Sequence, residues 1–151
     1  MVKSGIGLVL AACFFLPACG SDDEAPKDEM ATDAIEIEGS WTSTFAGQES
    51  GDEEISDEAW TSFATQAIVE FSNEDNYAIW QNPDDAQYNP SLFGQNVWTE
   101  VEDGSFYYCT VAYMSETAEA TEADAEPTHT SDLDNAGCGA MDAPWTKLTR
   151  K

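Results

Sequence analysis

From Ile35 the chain alternates apolar and polar positions with a period of two. Ile35, Ile37, Gly39, Trp41, Ser43 and Phe45 share one face, and Glu36, Glu38, Ser40, Thr42 and Thr44 the other. Strict alternation marks a half-buried strand. Residues 66–72 and 77–80 flank Asn73-Glu74-Asp75-Asn76 and read as a hairpin. Pro83 and Pro90, each after an Asn, punctuate a loop from Asn82 to about Gly94. Residues 96–101 and 105–113 flank Glu102-Asp103-Gly104, whose Asp-Gly pair is a strong hairpin signal. The second arm is apolar or aromatic on both faces, which predicts a place in the sheet interior. Residues 145–148 read as a closing strand. Residues 47–65 leave two readings open: a short helix capped by Ser56, with Asp57 and Glu58 in its first turn, or a short strand around Ile55. The pattern predicts an all-β fold over residues 35–151, a small antiparallel β-sandwich or barrel.

Two segments break the rhythm. Residues 114–135 are rich in Ala, Glu, Thr and Asp, and their acids cannot enter a core without partners, so a mobile acidic insert is expected. Residues 19–34 are polar, acidic and nearly free of large apolar groups. They predict a disordered tether that holds the domain roughly 20 Å from whatever anchors it.

Ahead of the tether, Ile6 to Leu16 contains no charged residue and follows a short segment bearing Lys3. Such a run suits a secretory signal core and is too short to span a bilayer as a helix. It ends in Leu16-Pro17-Ala18-Cys19 and an acidic exit, Gly20-Ser21-Asp22-Asp23-Glu24. This resembles the lipobox of bacterial lipoproteins, with Pro17 departing from the Ala, Ser, Thr or Val usual there. The resemblance implies that residues 1–18 are a signal peptide and that Cys19 becomes an N-terminus carrying a diacylglyceryl group, usually with an acylated amine such as a palmitoyl amide. Leu10-Ala11-Ala12-Cys13 matches by letters, but it would leave a very short apolar core and start the mature chain with Phe14-Phe15-Leu16. An ordinary signal peptide is the competing reading. Two or more acyl chains hold a protein stably where one does not.

Charge narrows the partners. The chain has thirty acidic and five basic residues, a net charge of −25, and no Lys or Arg between Asp28 and Thr146. Because Lys and Arg carry affinity for phosphates, nucleic acid is excluded as a partner. Docking onto an anionic leaflet through protein side chains is excluded for the same reason. A saline habitat, cation binding at carboxylate clusters, or solubility remain as origins of the acidity. With Cys13 removed and Cys19 lipidated, Cys109 and Cys138 are left as a pair. An oxidising envelope predicts a disulfide between them, closing a loop of about 30 residues.

Motifs for chemistry are sparse. His129 is the sole histidine and lies in the acidic insert, with no nucleophile elbow, Cys-x-x-Cys or Gly-rich phosphate loop in the chain. No enzyme activity and no cofactor are expected. Asp132-Leu133-Asp134-Asn135-Ala136-Gly137 imitates the start of a calcium loop, so Asp132 and Asp134 are weak candidates for a divalent cation. Ala136 occupies a ligand position, however, and no Glu closes the loop, which favours an Asx-rich turn. Trp41, Trp80 and Trp98 are the candidate ligand-facing aromatics, against the alternative that they build the core.

Gly39-Ser40-Trp41 resembles the Gly-x-Trp opening of lipocalin-like barrels, although the chain is short for eight full strands. Glu38-Gly39-Ser40-Trp41, Gln81-Asn82-Pro83, Val97-Trp98-Thr99, residues 105–110, Gly137-Cys138-Gly139 and residues 144–148 together resemble small bacterial surface lipoproteins of unknown activity. The combined expectation is a non-catalytic binding or structural module, membrane-attached through Cys19 at the cell envelope. In a Gram-negative host the outer membrane is favoured. A lipocalin-like carrier of a small apolar ligand is the alternative.

Overall fold

The computed structural model describes residues 34–124 and 132–151. The signal segment, Cys19 and most of the tether lie outside these residues, as does His129. Eight antiparallel strands run in sequence order and close into one barrel. They are β1 (Gly39–Phe45), β2 (Gln48–Ile55), β3 (Ala59–Thr61), β4 (Thr65–Ser72), β5 (Tyr77–Gln81), β6 (Phe93–Trp98), β7 (Ser105–Ser115) and β8 (Thr146–Arg150). Of the two architectures expected, the barrel is therefore the one formed. Eight strands fit in so short a chain because β3 has three residues and β5 and β8 five each.

Both expected hairpins are present, β4 with β5 and β6 with β7. The 47–65 segment forms strands rather than a helix. Ser56 caps no helix; its hydroxyl accepts from the backbone N–H of Glu58 and Ala59 at 3.3 and 3.2 Å and tightens the β2–β3 turn.

The alternation beginning at Ile35 does not yield one long strand. Glu38 N–H bonds back to the Ile35 carbonyl at 2.9 Å, and β1 starts only at Gly39, whose φ of +139° breaks the extended path. Ile35 and Ile37 instead fold across one end of the barrel and are fully buried. Two turns hold this plug. Asp57 accepts from Ile35 N–H at 2.7 Å, and Asn73 both accepts from Glu36 N–H at 3.0 Å and donates to the Ala34 carbonyl at 2.9 Å. From inside, Trp98 Nε1 donates to Glu36 at 2.6 Å and Trp41 Nε1 to the Ile37 carbonyl at 2.9 Å.

Above the plug the interior is filled by Trp41, Trp60, Trp98, Phe106, Ile55, Ala78 and Leu148. Trp41 meets Phe106 edge-on, with centroids 4.8 Å apart, a geometry aromatic quadrupoles favour. A second apolar cluster lies outside the barrel wall. There Val97, Cys109, Val111 and Trp145 pack with Leu133 and Cys138. The Cys109–Cys138 disulfide clips the returning chain onto this face, with a Cα–Cα separation of 5.6 Å.

The acidic insert is more ordered at its start than expected. Met114 and Ser115 finish β7, and a helix, α1 (Ala118–Asp124), follows. Ala and Glu are strong helix formers, and Thr117 caps the first turn by accepting from Ala120 N–H at 3.1 Å. Thr121 is fully buried on this helix, which packs on the outside of β5, β6 and β7. Residues 125–131 of the insert lie outside the described chain. No helix among the described residues is long and apolar enough to cross a membrane.

Candidate functional site

Among the described residues one carboxylate, that of Glu53, is buried in the interior. On β2 the inward positions are Glu53 and Ile55, two residues apart, while Asp52 and Glu54 face solvent. Glu53 is only 4% exposed. Each of its oxygens takes one neutral donor: Trp60 Nε1 gives to Oε2 at 2.7 Å, and the Tyr108 hydroxyl gives to Oε1 at 3.0 Å. The Trp60 and Tyr108 rings pack together with centroids 4.9 Å apart, which fixes both donors. Burial, and then the charge and hydrogen bond of Glu53, hold the Tyr108 phenol well above its ordinary range, so it stays a donor.

No cation among the described residues answers this carboxylate. Among the described residues the basic side chains are Lys147, Arg150 and Lys151, and none of them pairs with Glu53. Lys147 lies 5.8 Å from the ring centroid of Tyr107, and Arg150 lies 4.3 Å from that of Trp41. Lys151 pairs with Asp52 at 2.7 Å.

Because β3 is so short, β2 runs past it, and the ladder between them ends after Glu54↔Thr61. Beyond that point the wall opens into a cavity of about 150 Å³, lined by Ser43, Ser50, Gly51, Asp52, Glu53, Ser62 and Phe63. Ser43 is buried and its hydroxyl meets that of Ser50 at 2.9 Å. Phe63, on the β3–β4 turn, is 95% exposed at the rim. A larger groove of about 760 Å³ runs along the outer surface beside the β6–β7 turn. It is lined by Glu100, Glu102, Asp103, Tyr107, Leu133 and Lys147, among others.

The sequence-derived candidates fall elsewhere. Trp41 and Trp98 are fully buried core residues that also anchor the plug. Trp80 points inward against Gly94, and its Nε1 meets no acceptor among the described residues. Asp132 forms a local turn, its carboxylate accepting from the backbone and side-chain amides of Asn135 at 3.1–3.2 Å. The carbonyl of Asp134 packs against Gly139. Among the described residues no three His, Cys, Asp or Glu side chains gather as a metal site. Glu53 escaped sequence reading because it is one acid among thirty. Its one signal was sharing a face with Ile55. Comparison with family models, with curated proteins and with solved structures gave no match.

Proposed function

We propose that this chain is a lipid-anchored lipoprotein of the cell envelope, attached through Cys19, whose barrel serves as a non-catalytic binding or structural module. The Leu16-Pro17-Ala18-Cys19 segment and its acidic exit support the anchor. The filled interior is the observation that favours a module over a carrier. Pockets for organic ligands run to about 300–1,000 Å³. The groove of about 760 Å³ lies on the outer surface, whereas the cavity reaching Glu53 is about 150 Å³ and carries serine and carboxylate groups.

The intact mass of the membrane-extracted protein from its native host tests the anchor. A mass equal to Cys19–Lys151 plus acyl chains supports it; an unlipidated chain, or one cut elsewhere, overturns it.

The lipocalin-like carrier is the second reading, favoured by the eight-stranded up-and-down closure and by Gly39-Ser40-Trp41 on the first strand. It requires the core to open around an apolar guest. Saturable quenching of the interior tryptophans by an apolar fluorophore would speak for it, and unquenched emission against it.

A further inference from the structure

We propose that the cavity at the β2–β3 seam binds a small primary ammonium group, with the Glu53 carboxylate as its counter-ion. The inference gives a ligand class to the binding module and rests on that reading only in that the barrel binds. Whether Cys19 is lipidated does not bear on it.

A carboxylate 4% exposed and bonded only to neutral donors is costly to keep buried, and a cation in contact with it relieves that cost. The fold cannot supply the cation from its own strands. Residues 29–145 contain no Lys or Arg, and the three basic residues of the described C-terminal segment are held by Tyr107, Trp41 and Asp52. Among the described residues no basic side chain pairs with Glu53, so an external cation is its complement, and the cavity is open beside it.

Geometry selects the kind of cation. An ammonium presents three N–H donors. Glu53, Ser43 and Ser50 line the cavity, and their side chains carry three matching acceptor groups, a carboxylate and two paired hydroxyls. A calcium ion would need about six to eight oxygen ligands, and here both carboxylate oxygens are already shared with Trp60 and Tyr108. A volume of about 150 Å³ admits a short chain rather than a large guest. At the rim, Phe63 gives an exposed ring for the alkyl carbons or for a cation–π contact. The two donors on Glu53 fix its orientation before the ligand arrives, which lowers the ordering cost of binding.

The Trp60 indole N–H reports on the site because its acceptor is Glu53 itself. The full chain, isotope-labelled and solubilised in neutral detergent, is titrated with n-propylammonium chloride at constant ionic strength. Parallel titrations use n-propanol and tetramethylammonium chloride. A saturable shift of the Trp60 indole resonance with propylammonium alone is expected. Glu53→Gln keeps the shape and should weaken binding on the order of tenfold or more, the loss of a charge-assisted contact. Should Glu53→Gln not fold, Ser43→Ala removes a second acceptor and should weaken binding several-fold. No saturable shift, an equal shift with tetramethylammonium, or undiminished affinity in the variant that folds overturns the proposal. An Nα-acetyl-lysine amide binding more tightly than propylammonium would assign the ammonium to a protein lysine, and the reverse order to a free amine.

Discussion

The Arg150 guanidinium lies over the indole of Trp41, 4.3 Å from its centroid, where the last strand closes against the first. The same group donates to the Glu38 carbonyl at 3.2 Å and covers the point where the plug turns into β1. Gly39 makes the approach feasible, since a Cβ there would fall 2.6 Å from an Arg150 nitrogen. Replacing Arg150 with Met should lower stability by about 1 kcal/mol, the scale of an exposed cation–π contact with one hydrogen bond. Lys should rescue poorly because it lacks the planar face. Denaturant midpoints of the three proteins decide this, and equal midpoints would refute it.

The tyrosines should titrate unequally. The ordinary value is 10.0; the hydrogen bond to Glu70, then burial, push Tyr77 up to about 12, and burial raises Tyr108 further. Both shifts are upward, so the stability they confer is complete below pH 10 and is lost as pH rises through the folded values. In that window the unfolded chain has already released protons that the folded chain retains. Phenolate absorbance should show Tyr77 and Tyr108 titrating late, with Glu70→Gln bringing Tyr77 forward and Tyr108→Phe removing the highest step. Release of both the Tyr77 and Tyr108 protons near 10.0 would be the contrary result.

Reducing the Cys109–Cys138 bridge should cost about 3–4 kcal/mol, from the loop closure it imposes on the unfolded chain. The bridge spans 29 residues and ties residues 132–145 over Val97 and Val111. Reduction should therefore also expose Trp145, whose Nε1 bonds the Leu133 carbonyl at 3.0 Å. Unfolding midpoints with and without reductant, read beside acrylamide quenching, test both effects. An unchanged midpoint would show that the outer cluster holds without the bridge.

Gly94 is a packing requirement. Any Cβ there would fall inside the Trp80 indole, which lies flat across the facing strand. Gly94→Ala should destabilise by about 1–3 kcal/mol, the usual cost of overfilling a packed interior. Near-ultraviolet circular dichroism should lose the Trp80 contribution as the ring is displaced. Wild-type stability in the variant would mean that the indole has another seat.

Much of the wall was legible because it depends on neighbours in sequence. The hairpin around residues 73–76, the Asp103-Gly104 turn, the two-faced apolar β7 and the closing strand all follow from local alternation and turn chemistry. The plug was not legible. Ile35 and Ile37 carry a strand pattern, yet their placement depends on Asp57 and Asn73, 22 and 37 residues further along in the hydrogen bonds they make with residues 35 and 36. Nor does local pattern mark α1 within the acidic insert, because only its packing against β5–β7 separates a buried Thr121 from the other polar residues there.

By itself, the sequence determined the β class, the pairing of Cys109 with Cys138, the acidity and the expectation of a lipid anchor. Each depends on composition or on short-range pattern. Tertiary structure alone decided that the sheet closes as a barrel, that its end is stoppered by the residues just ahead of β1, and that Glu53 is inside. Glu53 is chemically identical to Glu54. Register on β2 turns one toward Trp60 and Tyr108 and the other toward water. The side-chain period of two makes that choice a matter of a single residue, and only the closed barrel says which face is the interior.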